Sequence, residues 1–131
     1  NREIPSNIVW EDDLFIVILD INPVSEGHLL IIPKQEIDSI FDLDRKTYQK
    51  IWEMVQRLES SLKKAVAAPR IGIAVEGFSV KHVHIHLVPV FKEGDLDPNK
   101  ATQSSVSELK SIEQRIRLEI EAATEPLCKI K

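Results

Sequence analysis

Cysteine is scarce in this sequence of 131 residues, and Cys128 is its single occurrence. One thiol excludes an internal disulfide framework and a zinc site built on cysteines. An excess of positive charge is also missing, because 17 basic residues stand against 21 acidic ones and the net charge is −4. This balance gives no electrostatic footprint for nucleic acid or for an anionic membrane surface. We therefore expect neither as a partner.

Long apolar runs are absent as well. The longest, at residues 14–19 and 29–32, are far shorter than the roughly 18 residues expected of a membrane span. The sequence opens with NREIP, which has no apolar signal region, so we expect a cytoplasmic protein. What is present is ordinary for a globular protein: 43% hydrophobic and 29% charged residues. The length favours one domain over residues 1–131, large enough for a core.

Hydrophobic spacing predicts an α+β fold. Short apolar runs bounded by turn residues are typical of strands. The second such run is apolar throughout, which favours a strand covered on both faces. The acidic residues 11–13 predict a hairpin between the first two runs. Strands are predicted at residues 8–10, 14–19, 28–32, 70–75 and 81–89.

Two helices are predicted by apolar residues that recur every three or four positions. The first runs from residue 44 to about 67 and is ended by a proline. The second begins at residues 105–108, SVSE, which have the form of a capping box. Its charged residues, Glu113 among them, are interpreted as a solvated face. Residues 92–103, rich in polar residues, are predicted to be a loop.

Residues 81–89, KHVHIHLVP, contain three of the four histidines of the chain. Side chains on a strand alternate between its faces, so His82, His84 and His86 fall in a row on one face. The aliphatic residues between them fall on the other face, where they can join a core. A row of imidazoles suits either metal binding or proton and phosphoryl chemistry near neutral pH.

Three interpretations of this row are open. A neutral imidazole nitrogen can attack phosphorus and form a phosphoramidate that water cleaves, while neighbouring imidazoles donate a proton and fix the tautomer. Histidines two apart can instead share a zinc ion. A catalytic zinc usually needs a water-activating acid, which only folding could supply, from Glu76 or Asp20. A strand with purely structural histidines is disfavoured, because three aligned imidazoles repel one another when protonated.

Residues 82–88, HVHIHLV, resemble the histidine triad signature of the HIT superfamily, in which apolar residues separate three histidines. Similar segments occur in the expected order at residues 2–6, 11–13 and 20–34, so the resemblance covers residues 1–90. It implies a HIT fold: an antiparallel sheet of about five strands, one long helix packed on it, and a C-terminal helix within residues 91–131. It also implies a homodimer.

The resemblance implies a role for each histidine. His84 is similar to the family nucleophile that takes up the nucleoside monophosphate. His86 resembles the histidine that contacts the phosphate and protonates the departing group. His82 matches the histidine that orients the array, and His28 the fourth histidine that supports it.

The resemblance also implies substrate contacts. Asp20 and Ile21 look like the ribose and base contacts, and Asn22 is adjacent in the same loop. Ile18 and Ile21 suggest an apolar base pocket, which a purine would fill, although apolar walls discriminate weakly between bases. Ser79 is similar to a phosphate-contacting serine.

Some positions depart from the family pattern. Gly77 is followed by Phe78 where many members have glutamine, which bears on leaving-group preference. Some members bind structural zinc through N-terminal cysteines and a histidine, but Glu36 occupies that histidine's position here and no metal is expected. The third histidine, His86, stands where the uridylyltransferase branch has glutamine, which favours a hydrolase over a transferase.

The expected function is hydrolysis at the α-phosphate of a nucleoside phosphoramidate or a dinucleoside polyphosphate, through a covalent nucleotidyl-histidine intermediate. No cofactor is required, although magnesium could accompany a polyphosphate substrate as its counter-ion. Two alternatives remain: a metal-dependent hydrolase that uses the same histidines, and a nucleotide-binding module with little catalysis.

Overall fold

Five strands pair into one antiparallel sheet in the order β1-β2-β3-β5-β4, and two helices complete the α+β fold predicted from the sequence. The structure, a computed structural model, describes residues 7–75 and 82–124. The elements are β1 (Ile8–Glu11), β2 (Phe15–Leu19), β3 (Leu29–Pro33), α1 (Arg45–Val66), β4 (Arg70–Val75), β5 (Ile85–Val90) and α2 (Val106–Thr124), with short 3₁₀ helices at Ile40–Asp42 and Pro98–Lys100.

The acidic turn between β1 and β2 is built on Asp12. Its carboxylate Oδ1 accepts hydrogen bonds from the backbone N–H groups of Leu14 (2.8 Å) and Phe15 (2.9 Å). The predicted hairpin is confirmed. The expectation that β2 is covered on both faces is wrong, because Val17 is buried whereas its neighbours Ile16 and Ile18 are only half-buried.

The long helix α1 lies against one face of the sheet, in contact with β3, β4 and β5. Its apolar stripe, which includes Ile51 and Leu62, is buried in the core. Asp44 caps the helix, because its side chain accepts a hydrogen bond from Thr47 N at 2.9 Å. At the other end Ala67 adopts the left-handed conformation that often terminates helices.

The second face of the sheet is less covered. Ile18, Leu30, His86 and Ala74 are paired in register across β2, β3, β5 and β4, and all four are half-buried. We call this the open face. It carries the third histidine of the row.

The helix α2 packs against α1 and β1. Its capping box is confirmed: Ser105 Oγ accepts from Glu108 N at 3.1 Å, and Glu108 Oε1 accepts from Ser105 N at 3.2 Å. The interpretation of Glu113 as part of a solvated face is wrong, because this residue is only 5% exposed. Its carboxylate accepts hydrogen bonds from Asn7 Nδ2 (3.1 Å) and Arg117 Nε (3.0 Å), which make its burial tolerable.

Within residues 7–75 and 82–124, neither helix is apolar enough over a sufficient length to cross a bilayer.

Candidate active site

The histidine row lies at the start of β5. The predicted strand is too long at its N-terminal end, because β5 begins only at Ile85 and therefore contains His86 but not His82 or His84. The predicted alternation nevertheless extends through the whole row. All three histidines are half-buried, whereas the aliphatic residues between them, such as Val83, are fully buried.

The tautomer of His84 follows from its contact with the backbone. Its Nδ1 lies 2.9 Å from the carbonyl oxygen of His82. A carbonyl can only accept a hydrogen bond, so Nδ1 carries the proton. In the neutral imidazole, Nε2 is then the nitrogen with the available lone pair. His84 is thus arranged to present Nε2 as a nucleophile.

The chain ahead of β5 is fixed by two further hydrogen bonds. His82 Nε2 lies 2.8 Å from the carbonyl oxygen of Pro33, to which it donates. The backbone N–H of Val83 donates to the carbonyl oxygen of Ile37 at 2.8 Å. These contacts attach the first two histidines to the end of β3 and the connection that follows it.

His28 completes a chain of imidazoles. The backbone N–H of Val24 donates to His28 Nδ1 at 3.0 Å, so the proton of the neutral ring is on Nε2. That Nε2 lies 2.9 Å from His86 Nδ1 and donates to it, which assigns the remaining proton of neutral His86 to its Nε2. The rings of His84 and His86 are themselves 4.8 Å apart between centroids.

Burial keeps His28 neutral. The pKa of its imidazole is lowered from 6.5 to about 4, chiefly because the ring is removed from water; the carboxylate of Asp20 opposes this with a smaller rise, and His86 contributes a still smaller lowering. Asp20 Oδ2 lies 3.7 Å from His28 Nε2, whereas His86 Nδ1 lies only 2.9 Å from the same nitrogen. The neutral form at physiological pH agrees with the tautomer inferred from the hydrogen bonds.

This pKa predicts acid-sensitive folding. Between about pH 6.5 and 4 the unfolded chain protonates His28 more readily than the folded chain, so stability falls as the pH falls through this window. The loss should reach about 3 kcal/mol at the lower end. The measurement is the free energy of unfolding in urea for wild type and His28→Gln between pH 7.5 and 4.5. The difference between the two proteins at pH 7.5 gives the cost of the packing that the substitution removes. Parallel pH profiles for the two proteins would contradict the prediction.

The predicted substrate loop reaches the site only in part. Asp20 is half-buried beside His28, and its Oδ1 accepts from Asn22 N at 2.9 Å, which closes a tight turn. Ile21 is 58% exposed, and Ile18 lies on the open face opposite Leu30.

A cavity of about 170 Å³ lies beside His86. Asp20, Asn22 and His28 line it together with His86. Ile18 and Ile21 do not line this cavity, and their contact with a base stays a prediction. The predicted contacts Gly77 and Ser79 lie outside the described residues.

The cavity also has a wall that sequence reasoning missed. Leu96, Asp97, Pro98 and Ala101 line it, although residues 92–103 were predicted only as a loop. No periodicity or motif in that stretch pointed to the site. The one usable signal was a proline next to an acidic residue, which is too common to indicate a binding wall.

Three side chains in this cavity could hold a metal ion. Asp20, His28 and His86 offer ligand atoms that all lie within 4.8 Å of one another. This set differs from the alternative in which His82, His84 and His86 share the metal, because within the described part of the chain only His86 of the row belongs to it. A metal ion bound there would replace the proton that His28 Nε2 donates to His86 Nδ1.

Comparison with known proteins gives matches along most of the chain. The family model for the HIT domain matches residues 1–93. An uncharacterized HIT-like protein of Borreliella burgdorferi is 30% identical over an alignment of 129 residues, and the match covers 92% of this chain and 93% of the relative. A purine nucleoside phosphoramidase of Escherichia coli is 33% identical over an alignment of 99 residues, and the match covers 66% of this chain and 78% of the relative.

A further relative and one solved structure also match. A bis(5'-adenosyl)-triphosphatase of Dictyostelium discoideum is 29% identical over an alignment of 89 residues, and the match covers 64% of this chain and 60% of the relative. Among solved structures, a Hit-like protein from Bartonella henselae superimposes with a TM-score of 0.79 at 31% identity, over 88% of each chain.

Proposed function

This chain belongs to the HIT domain family, and from that premise we propose that it hydrolyses a nucleotide at the α-phosphate. The substrate is a purine nucleoside phosphoramidate or a dinucleoside polyphosphate, and His84 forms the covalent intermediate. Relatives named for each of these two activities support the choice of substrates. The reaction needs no cofactor in this proposal, and the cytoplasmic location remains a prediction.

The observation that supports this proposal best is the tautomer of His84. Its Nε2 attacks phosphorus, a P–N bond forms, and the bond from phosphorus to the leaving group breaks. The imidazole then carries positive charge, and the carbonyl of His82, 2.9 Å from Nδ1, stabilises the proton there. Water next attacks phosphorus, displaces His84 and releases the nucleoside monophosphate.

In this proposal His86 donates a hydrogen bond but does not transfer its proton. Its Nδ1 accepts from His28, so its Nε2–H can donate a hydrogen bond to the phosphate or to the departing atom. A neutral imidazole that lost this proton would become an anion beside another neutral, buried imidazole. We therefore propose that His86 stabilises developing negative charge, and that solvent supplies the proton that completes the leaving group.

The test is intact-protein mass spectrometry after brief mixing with an AMP phosphoramidate or with diadenosine tetraphosphate. The proposal requires a transient gain of one adenylyl group, located on His84 by digestion, together with release of AMP. Turnover without any adduct would contradict the covalent mechanism. Binding of AMP with neither adduct nor turnover would instead identify a nucleotide-binding module.

Metal-dependent hydrolysis is the second candidate, because Asp20, His28 and His86 are close enough to share an ion. It predicts a metal retained at one equivalent per chain and activity that a chelator abolishes and added zinc restores. The covalent proposal predicts activity that a chelator leaves unchanged.

We also propose a homodimer that forms along β4. This strand is at one edge of the sheet, where backbone groups are left to pair with another strand. Ile73 and Val75 on it are 45% and 38% exposed. Pairing of two β4 strands would cover these apolar side chains and extend the sheet across both copies.

Ile73→Lys should therefore convert the dimer into a monomer, because it places a charge in the apolar contact. Light scattering coupled to gel filtration should give twice the chain mass of 14.9 kDa for wild type and the single mass for the variant. Phe41→Lys is the matched control, since Phe41 is 81% exposed but lies away from β4, on the short helix Ile40–Asp42. A monomeric wild type, or dissociation by both substitutions alike, would refute the assignment.

A further inference from the structure

Residues 91–105 return after β5 to the loop between β2 and β3. The N–H of Thr102 donates to the carbonyl of Pro23, and the N–H of Ser104 donates to the carbonyl of Ile21, both at 3.1 Å. These two bonds attach the stretch to the tight turn of that loop. Most of the stretch lies beyond the residues that match the family model, so the family match assigns no role to its side chains.

The cavity beside His86 extends along β5 and away from His84. Val88, two residues after His86 on the strand, lines the same cavity. Val88 pairs with Gly72 of β4, and a Cβ on Gly72 would be only 3.2 Å from Leu96 Cδ2. The absence of a side chain at Gly72 therefore lets Leu96 approach the sheet and form a wall of the cavity.

The position of this cavity assigns it to the nucleoside of the substrate. Asp20 and Asn22 line it, and the HIT resemblance implies that their loop contacts the nucleoside. A nucleotide with its phosphorus at His84 reaches this loop across His86, because His86 lines the cavity and His84 does not. The volume of about 170 Å³ is below the roughly 300 Å³ at which whole small-molecule ligands are usually bound. It suits one group of the nucleotide, such as the ribose.

Two carboxylates in this cavity are held in the same way. Asp20 Oδ1 accepts from Asn22 N at 2.9 Å, whereas its Oδ2 is 3.7 Å from His28 Nε2, too far for a hydrogen bond. Asp97 Oδ1 accepts from Asn99 N at 3.0 Å, and no group in the described part of the chain donates to its Oδ2. Both side chains are half-buried. Each carboxylate is therefore positioned by a backbone N–H and keeps one oxygen that can accept from a ligand.

A group with hydroxyls suits this lining better than a charged group. No lysine or arginine among the described residues lines the cavity, so a phosphate there would meet carboxylates of like charge without a compensating cation. Sugar hydroxyls are neutral donors, and a hydrogen bond to an ionised acceptor is stronger than one between neutral groups. Asp97 is also outside the cluster of Asp20, His28 and His86 whose ligand atoms lie within 4.8 Å of one another. It is therefore not placed to share a metal ion with them.

We infer that Asp97 is a specificity-determining residue that accepts a hydrogen bond from one hydroxyl of the ribose and so favours ribonucleotides over deoxyribonucleotides. The inference rests on the proposed function, because it takes the nucleotide of that reaction as the ligand. The family resemblance implies a ribose contact for Asp20, and Asp97 supplies a second acceptor from residues 91–105. Asp97 takes no part in bond making.

The experiment compares AMP with its 2′-deoxy and 3′-deoxy analogues. Calorimetry gives Kd for the three nucleotides, and kinetics gives kcat/KM for their phosphoramidates with one common amine. Asp97→Asn should weaken the binding of AMP about tenfold, or about 1.4 kcal/mol, as expected for one partly exposed hydrogen bond to a charged group.

The two analogues should respond differently, because Asp97 has one oxygen available and accepts from one hydroxyl. The analogue that lacks this hydroxyl should bind equally well to wild type and to Asp97→Asn. The other analogue should lose about tenfold, as AMP does. The preference of the protein for AMP over the first analogue should therefore fall about tenfold in the variant, while its preference over the second stays unchanged.

The variant is conservative. Asp97 Oδ1 caps the short helix Pro98–Lys100, and asparagine caps as well as aspartate. With its oxygen on Asn99 N, the amide presents Nδ2 to the cavity, and this nitrogen cannot accept a hydrogen bond. Glu93→Gln is the matched control, because it removes the same charge at an exposed position outside the cavity. It should leave every ratio as in wild type.

The outcomes separate the inference from the proposed function. Wild type that binds the nucleotides but hydrolyses none of the phosphoramidates overturns the proposed hydrolysis, and the Kd ratios then decide the inference. Ratios that Asp97→Asn leaves unchanged, or changes only as much as Glu93→Gln does, overturn the inference alone. Wild type that binds none of the three nucleotides overturns both.

Discussion

His84→Ala should lower kcat for an AMP phosphoramidate by about 10⁴- to 10⁶-fold, because removal of a covalent nucleophile can cost about six orders of magnitude. The substitution deletes the Nε2 that attacks phosphorus, and no other described imidazole offers a nitrogen in the same arrangement. His28 and His86 use one ring nitrogen each for their mutual hydrogen bond. Asp20, Asn22 and His28, which line the cavity beside His86, are unchanged in this variant, so binding of AMP should persist.

The measurement combines single-turnover kinetics with calorimetric titration of AMP. His82→Gln is the matched control, because a glutamine amide can still donate to the carbonyl of Pro33, as His82 Nε2 does at 2.8 Å. It should retain most of the activity. A His84→Ala protein with more than about one hundredth of wild-type kcat would argue against His84 as the nucleophile, since general acid–base contributions alone are typically worth 10²–10⁴-fold.

The largest expected effect on stability comes from a substitution behind the site. Gly27→Ala should lower the free energy of unfolding by about 3 kcal/mol, through unfavourable backbone conformation and an overpacked core together. Gly27 has φ +94°, and a Cβ there would be 2.9 Å from Val66 Cγ1 and 3.3 Å from Leu62 Cδ1. Both neighbours belong to α1, whose packing against the sheet leaves no room for a methyl group.

Gly94→Ala separates the two causes. Gly94 has φ +87°, but apart from its chain neighbours no atom of the described residues lies within 4 Å of the position its Cβ would take. Its alanine variant should therefore show only the backbone cost, about 1 kcal/mol. Urea unfolding of both variants gives the difference. Equal losses would show that the core beside Gly27 relaxes freely, contrary to the geometry. Because Gly27 precedes His28, activity should fall with stability in the first variant only.

The sequence predicted the elements well where the signal was local. The hairpin turn at Asp12, the cap at Asp44 and the box at Ser105 are each set by a side chain and a backbone group two or three residues away. Such contacts are visible in sequence spacing. The burial of Glu113 was not, because its partner Asn7 lies far away along the chain and only the docking of α2 brings them together.

In the candidate site, too, local features could be predicted from the sequence and contacts between distant residues could not. The spacing of the row and the family resemblance identified its histidines, and alternation gave them a common face. His28 immediately precedes β3 and His86 lies on β5, so the spacing of residues in the sequence does not predict their contact. Asp97 was missed for a related reason: its place in the cavity depends on the path of residues 91–105, which hydrogen bonds between main-chain atoms attach to the loop at residues 21–23. Hydrogen bonds between main-chain atoms do not require particular residue types, so the sequence does not reveal them.

The same two hydrogen bonds have a consequence for engineering. Residues 91–105 are attached to the loop at residues 21–23 through main-chain atoms, and bonds of this kind do not depend on the identity of the side chains. Substitutions at residues 96–101 should therefore leave the course of the chain unchanged. Because Leu96, Asp97, Pro98 and Ala101 line the cavity beside His86, these positions are suitable targets for a mutant library that screens for altered ligand binding.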